Sequence, residues 1–527
     1  MIEKEILKFC LERGCLLDKE VLNLFQELGD AETAKIIIEK IKSQTNQRLI
    51  TKNIFDQNKE RVSEFFLTLP QENQKKLEKL KIKLGLSIEI SKEVFQERVI
   101  TIEKQKEENI TGENLQEDVR LISMPPALSK KLDVGDFVRY FRNRLLSMRE
   151  YLMSHAELNN LVSINKISGD RQGISIIGLI SDKRITKNKN ILLDVEDLTG
   201  KIRILINQNN EELYKKAEEV ALDSVVGIKG SGNREILFAN DLVFPDSKIL
   251  ERKKSPEDEI ALFIGDIHIG SKLFLEDNFL KLIDYVNGKL PNTPEASKIK
   301  YIFIIGDIIA GVGIFPGQER ELEISDVEQQ YGKAAELLSK IRKDVKIILS
   351  PGNHDALRIM EPQPVLDEKY AWSLYELKNV IMTGNPALVN IGAKKNFSGF
   401  DVLTYHGYSF HYYANSIPRL MREKAVHKPE TLMHYLLKHR HLAPTHSSTL
   451  YFPSEEDSLL IKKIPDIFLS GHTHKSAVAY YNNILTISSS SWESITPFQI
   501  KMGNEPDFCK VPMFNLKTRA IKILDFE

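Results

Sequence analysis

The feature that most constrains this chain is the run Ile260-Ala261-Leu262-Phe263-Ile264-Gly265-Asp266-Ile267-His268. It is apolar from end to end and then stops abruptly at a carboxylate and an imidazole two positions apart. A strand with no polar alternation belongs in the middle of a sheet covered on both faces. In such folds ligands gather at the carboxyl ends of the strands, where Asp266 and His268 would sit. One Asp-x-His is more often an ordinary surface pair than a site. Its weight comes from recurrence.

The same pattern, an apolar strand with a polar tip, returns four times downstream. Tyr301 to Ile305 ends in Gly306-Asp307, and Val345 to Leu349 runs into Pro351-Gly352-Asn353-His354-Asp355. Val402 to Tyr405 ends in His406-Gly407, and Ile467 to Leu469 leads to Gly471-His472-Thr473-His474. Helix-compatible stretches at 278–288 and 319–342 separate the first three strands, the alternation of a layered α/β domain. The residue types suit a pair of divalent cations about 3.5–4 Å apart, which needs a shared carboxylate, further carboxylate and imidazole ligands, and an open position for water. Mixed Asp, Asn and His donors favour manganese or iron over magnesium, and imidazole also suits zinc. Glycines beside the tips let the backbone turn sharply and leave room for a phosphate. Any one tip reads better as a turn or a satisfied histidine, but all five in order are not background.

A length of 527 residues is too great for one core and predicts three or four units. Hydrophobic residues at 42% and charged residues at 28% describe a soluble globular protein. A net charge of -1 excludes a global nucleic-acid footprint, so any basic surface is local. Three cysteines, Cys10, Cys15 and Cys509, cannot build a disulfide framework or a zinc knuckle. With no signal-peptide pattern and no run of transmembrane length, a cytoplasmic protein with no membrane contact is expected.

Apolar spacing over residues 1–45 predicts a small helical domain. Residues 46–120 are rich in Lys, Glu, Gln and Asn and read as a flexible charged linker. Residues 121–160 read as a helical connector, with Phe137, Phe141, Leu145, Met148 and Leu152 on one face and Arg139, Arg142, Arg144 and Arg149 largely off it. Residues 161–250 switch to about five short period-two strands, interrupted by one helical stretch at 211–219. That pattern matches an oligonucleotide-binding (OB-fold) barrel. Its loop from Ser181 to Asn190 offers Lys183 and Arg184 to a nucleic-acid backbone. The five-tip domain occupies 256–527, and its strands after His474, including Met513 to Leu524, are expected to complete a second sheet.

The five tips resemble the calcineurin-like metallophosphoesterase superfamily, with its D-x-H, G-D, G-N-H-[DE], H and G-H-x-H motifs. The expected fold is multidomain α+β: a small N-terminal helical domain, an OB-fold barrel, then a calcineurin-like α/β/β/α sandwich. By that resemblance Asp266, His268, Asp307 and His474 hold one metal, and Asp307 bridges to a second held by Asn353, His406 and His472. His354 is the general acid, oriented by Asp355, and an activated water attacks phosphorus in line. Gly306-Asp307 is followed by Ile308, Ile309, Ala310 and Gly311 rather than the extended motif of Ser/Thr phosphatases. A barrel directly before the phosphoesterase is similar to replicative polymerase B-subunits. The intact ligands and the stretches Phe137 to Tyr151, Gly313 to Glu319 and Arg440 to His446 resemble small subunits of archaeal family-D DNA polymerases.

That resemblance implies a 3′→5′ exonuclease that proofreads on single-stranded 3′ ends of DNA during replication. It also implies a large catalytic polymerase subunit as partner, in a heterodimer or heterotetramer, and contact with a sliding clamp through the holoenzyme. Polymerase activity, with Mg²⁺, would belong to the complex; manganese is the expected nuclease metal, with iron or zinc as alternatives. The other readings are a scaffold subunit without nuclease activity and a free-standing phosphodiesterase for small nucleotides, which would need neither barrel nor linker. Between the fourth and fifth motifs, residues 415–446 concentrate Arg419, Arg422, Lys438, His439, Arg440 and His441. A charge cluster is usually a solvated face. Its position between ligand motifs favours a lid that guides a single strand, the alternative being docking to the polymerase subunit, with His439, His441 and His446 as substrate-side or supporting residues.

Overall fold

The strand Ile260–Gly265 forms where the apolar run predicts it, and each of its residues is buried. The computed structural model describes residues 2–18, 21–22, 34–35, 38–39, 49–50, 118–126, 130–503 and 505–527. Most of the expected linker and much of the expected N-terminal domain lie outside these residues. The chain divides into two units, residues 1–115 and 116–527. In the first, a helix spans Ile2–Glu12, and strands Leu16–Leu17 and Leu49–Ile50 pair in parallel. Ile6 and Cys10 are buried.

The second unit opens with strand β1 (Val119–Ser123) and helix α1 (Val134–Met153). Asp133 caps α1 by accepting from the Asp136 N–H, while Asp136 accepts from the Asp133 N–H. This reciprocal cap fixes the start of the helix. Strands β2 (Gln172–Ile185), β3 (Ile191–Glu196) and β4 (Lys201–Ile206) follow, then helix α2 (Glu211–Glu218), β5 (Val225–Gly232) and β6 (Ile236–Val243). They close into a barrel in the order β2-β3-β4-β6-β5. Alternate residues Ile191, Leu193, Val195, Ile202, Ile204 and Ile206 fill it. On α1, Leu145, Met148 and Leu152 pack against barrel residues Ile177, Leu179 and Val225.

Two six-stranded sheets make the rest. The first uses β7 (Ile260–Gly265), β8 (Ile299–Ile305), β9 (Lys346–Ser350) and β10 (Val380–Met382), all parallel. Helices α3 (Glu276–Val286), α4 (Val327–Ser339) and α5 (Glu368–Tyr375) connect these strands. The second sheet contains β11 (Ala387–Ile391), β12 (Phe400–Thr404), β13 (Ile467–Ser470), β14 (Ala477–Tyr481) and β15 (Ile484–Ser488). Helices α6 (Phe410–Ser416), α7 (Pro418–Arg422) and α8 (Pro429–His439) join β12 to β13. Phe263, Phe303 and Ile305 of one sheet meet Val389, Val402, Leu469 and Ile487 of the other in a shared core. Helices α3 and α4 cover the outer face of the first sheet, and α6 and α8 that of the second.

Three expectations are corrected. Residues 119–123 are not linker or helical connector: they pair antiparallel with β11 at the edge of the second sheet. The last hairpin, β16 (Lys510–Asn515) and β17 (Ile521–Asp525), adds to β7 in the first sheet rather than completing the second. Its apolar Val511 and Met513 match the helix-covered side of that sheet. The expected helix over 319–342 shortens to α4, because Asp326 caps it at the Gln329 N–H. Among the described residues no helix is long and apolar enough to cross a membrane, and the cysteines Cys10, Cys15 and Cys509 are free and buried.

Candidate metal centre

The parallel pairing of the first sheet continues past the strand ends. Asp266 N–H donates to the Gly306 carbonyl at 3.2 Å, His268 N–H to Asp307 at 3.0 Å, and Gly306 N–H to Ser350 at 2.9 Å. Three polar tips are therefore laid side by side. Left-handed backbone is concentrated here: φ is 49° at Asp266, 55° at His268, 45° at Asp307, 69° at His472 and 54° at His474. Non-glycine residues in this region cost of order 1–3 kcal/mol each and persist only where the surrounding fold holds them. Gly306 also has positive φ, at 71°, and any Cβ there would overlap the His406 ring. Glycine is required for that close approach.

Ligand-type atoms converge in groups: Asp266, His268 and His474; His268, Asp307 and His354; Asp307, His406 and His472. Within each group they lie within 4.8 Å of one another. Asp307 Oδ2 is 3.3 Å from His406 Nε2 and 3.9 Å from His268 Nε2, so one carboxylate stands between two clusters. Asn353 Oδ1 lies 2.9 Å from His406 Nε2, and His268 Nε2 is 3.1 Å from His474 Nε2. The Asp266 carboxylate is fixed by the His472 N–H, at 3.1 and 3.0 Å from its two oxygens, and Asp307 Oδ1 by the His354 N–H at 2.8 Å.

Electrostatics follow from burial. His268 and His474 are pushed down to about 3, first by burial and then by neighbouring histidine rings. His472 is lowered for the same reasons. Burial opposes charge on His406 too, but the Asp307 carboxylate beside it prevails and raises it to about 9. Burial raises Asp266, helped by Asp307; burial also works against Asp307, yet His406 and His354 hold it well below the carboxylate range. Among the described residues neither carboxylate has a lysine or arginine partner; their ion pairs are all to histidine. Carboxylates, an amide oxygen and mostly neutral imidazoles converging without a fixed cation suit divalent metals of the manganese, iron or zinc type.

Asp355 does not orient His354. The His354 ring is held through Nδ1 by the Ala310 carbonyl at 2.9 Å. Asp355 instead accepts from the N–H groups of Gly352 at 2.8 Å and Ile308 at 3.3 Å, and from the Tyr331 hydroxyl at 3.1 Å. It pins the 351–355 loop to the Asp307 tip. Burial, then Asp307, raises its carboxyl to about 7.

A family description, calcineurin-like phosphoesterase, matches residues 261–476. The chain is 37% identical over 398 residues to the DNA polymerase II small subunit of Methanothermobacter thermautotrophicus, covering 75% of this chain and 80% of that one. It is 36% identical over 426 residues to the subunit of the same name from Pyrococcus furiosus, covering 78% and 68%. The Pyrococcus horikoshii protein of that name is 34% identical over 479 residues, covering 88% and 73%. This chain belongs to the DNA polymerase II small-subunit family.

In this family member the basic residues picked out as DNA contacts are mostly engaged internally. Lys183 is half-buried and donates to the carbonyls of Glu218 and Val220, each at 2.8 Å. Arg440 is buried, donates to the carbonyls of Ile461 and Lys462, and stacks 3.8 Å from the Tyr151 ring centre. His441 is buried, with Nε2 2.8 Å from Asp457 Oδ2. Arg419 pairs with Glu219 at 2.6 Å and Arg422 with Glu218 at 2.9 Å. Of the six, Arg184 keeps the loosest partners, Asp182 at 3.6 Å and Asp194 at 3.8 Å. Residues 415–446 are thus a helical layer docked on the barrel rather than a lid; the His439 ring meets Phe244 edge-on, and the His446 ring stacks on Tyr451.

Several neighbours of the site carried no sequence signal. The Tyr408 and His411 rings lie 5.6 and 5.3 Å from His472, and Gln499 Nε2 is 2.9 Å from His474 Nδ1. None belongs to a motif. Gln330, fully buried on the inner face of α4, was detectable as a polar residue on an apolar stripe; it accepts from the Gly311 N–H at 2.9 Å.

Proposed function

We propose that this chain is the small subunit of a heteromeric DNA polymerase, assembled with a large catalytic subunit, and that its phosphoesterase site is a proofreading 3′→5′ exonuclease on single-stranded DNA. The observation that carries the nuclease half is the placement of Asp307 between two intact clusters of ligand-type side chains. Asp266, His268, Asp307 and His474 would hold one cation, and Asp307, Asn353, His406 and His472 a second, with manganese favoured. Such a pair supplies an activated water and neutralises charge developing on the phosphate.

The chain's own residues do the rest. The Ala310 carbonyl accepts from His354 Nδ1–H, which fixes the tautomer and leaves Nε2 to carry the proton that the leaving oxygen needs. Gly352 and Gly471 give close approach beside Asp307 and Asp266, where a Cβ would collide with the carboxylates. The barrel is read as an OB fold: its order has the third strand beside the fifth, in parallel, and a helix between the third and fourth. Its tie to the helical layer through Arg419 and Arg422 favours a role in assembly over base stacking.

The test is a nuclease assay of the full chain on 3′-labelled and 5′-labelled single-stranded DNA with Mn²⁺, Mg²⁺ or chelator, alone and with the large subunit. Metal-dependent release from the 3′ end, lost in folded Asn353→Ala and His354→Ala proteins, is expected. Unchanged release in both variants refutes the site, and no cleavage in either setting leaves only a scaffold role.

A further inference from the structure

Resting on the metal reading above, we propose that Gln363 and Asn385 form a positioning pair that holds the Asn353–His406 half of the centre in ligating geometry. Neither residue lies in a ligand motif, and both are buried, with Asn385 at 0% and Gln363 at 2% exposure. They face each other across a short antiparallel bridge, Gln363 N–H to Asn385 carbonyl at 2.7 Å and the reverse at 2.9 Å.

Their side chains build a relay. His406 N–H donates to Asn385 Oδ1 at 2.9 Å. Asn385 Nδ2 donates to Gln363 Oε1 at 2.7 Å. Gln363 Nε2 donates in turn to the carbonyl of Gly352, the residue before Asn353, at 3.1 Å, and to that of Arg358 at 3.1 Å. Every amide orientation is dictated by a backbone group that can only donate or only accept, so neither side chain can flip. At the front, Asn353 Oδ1 and His406 Nε2 sit 2.9 Å apart. At the back, the relay fixes the peptides that carry them. The two residues come from the ends of β9 and β12, strands of different sheets, and no backbone ladder joins those ends. Two amides supply the registration that a ladder would otherwise give. The Asp266–His268–His474 group receives nothing from this pair.

Groups that support metal ligands from behind are worth about 10- to 100-fold in affinity. The probe is Mn²⁺, titrated calorimetrically into the full chain and into Asn385→Asp and Gln363→Met proteins. The first keeps an acceptor for His406 but turns a second acceptor towards Gln363; the second keeps volume and removes the amide. Wild type should take up two equivalents. Each variant should keep one at wild-type affinity and bind the other about ten-fold or more weakly. Two unchanged sites in both variants overturn the inference. Parallel weakening of both sites with a lowered Tm also overturns it, since a merely structural role would do that. Absence of Mn²⁺ uptake by the wild type would instead refute the metal reading, and the relay's purpose with it.

Discussion

Replacing Arg144 should be among the costliest single changes outside the candidate metal centre. The side chain is 1% exposed and Asp457, its partner, 0%. Its Nε donates to Asp457 Oδ2 at 2.7 Å, and its Nη1 to the carbonyls of Pro444 at 2.5 Å and Asp223 at 3.0 Å. The rings of Tyr140, Phe141 and Tyr451 lie 4.9–5.3 Å from the guanidinium carbon. One cation therefore ties α1, the barrel and the segment after α8 together. Arg144→Met leaves Asp457 with donors from Tyr140, His441 and Leu459, but no neutralising charge. Breaking one side of a buried pair costs about 3–5 kcal/mol, because the other charge is stranded. Asp457→Asn strands the guanidinium and should cost about as much. The double variant strands neither, so its loss should fall short of the summed singles by about 3 kcal/mol. Urea unfolding at neutral pH, followed by fluorescence of the buried Trp492 together with circular dichroism, measures all four corners. Losses that add to within about 0.5 kcal/mol would show that the two side chains do not act as a pair.

His441 should make the same junction acid-labile. Its Nε2–H donates to Asp457 while Nδ1 accepts from the Ala443 N–H, so the ring is held neutral, and burial lowers it to about 4 from an unfolded value of about 6.5. The stability tied to this group is fully present above about pH 6.5 and is lost as pH falls towards 4, about 1.4 kcal/mol by pH 5.5. His441→Gln should flatten the stability profile between pH 7 and 5.5 by that amount, and an unchanged slope in urea melts would contradict the assignment. Arg440→Ala removes a guanidinium from the buried Ile461 carbonyl, the part-buried Lys462 carbonyl and a tyrosine face, and should cost about 2–3 kcal/mol in the same melts while single-stranded DNA affinity stays at the wild-type value. Gly306→Ala forces a Cβ into the His406 ring and should abolish Mn²⁺ binding at the Asn353–His406 half; calorimetry showing two intact sites would refute the crowding argument.

The phosphoesterase site was legible in the sequence because its parts are local. Each candidate ligand sits within a few residues of the end of an apolar strand, so the position of the strand fixes the position of that side chain. The barrel was legible through period-two alternation at 191–195 and 202–206, which survives as alternating burial in β3 and β4. What could not be read depends on pairing across long separations. The strand 119–123 has one buried partner strand and an exposed edge, with Leu121 and Ile122 about 40% exposed at 39% and 43%, so it lacks the apolar density that marks β7. The hairpin after Cys509 follows a chain path that crosses from the second sheet to the first, and no local pattern encodes that crossing. The Gln363–Asn385 relay is likewise invisible: its meaning arises only when residues from five segments meet.

The pairing of the basic insertion follows from a rule that applies to other chains. Positive charge in a sequence marks a demand for acceptors, and nucleic acid is only one source of them. Helix α2 ends in Glu218 and Glu219, carboxylates placed at the negative end of the helix dipole with the last carbonyls still to be satisfied. That end is unfavourable unless cations reach it. Lys183 caps the carbonyls, while Arg419 and Lys438 meet Glu219 and Arg422 meets Glu218. Four basic side chains scattered over 256 positions of sequence are thus consumed by one helix terminus. The acidic pair ending α2 was the available signal: two glutamates at a helix C-terminus call for lysine or arginine from elsewhere in the fold. A lid for DNA would need those cations unpaired, and here they bind the barrel to the helical layer instead.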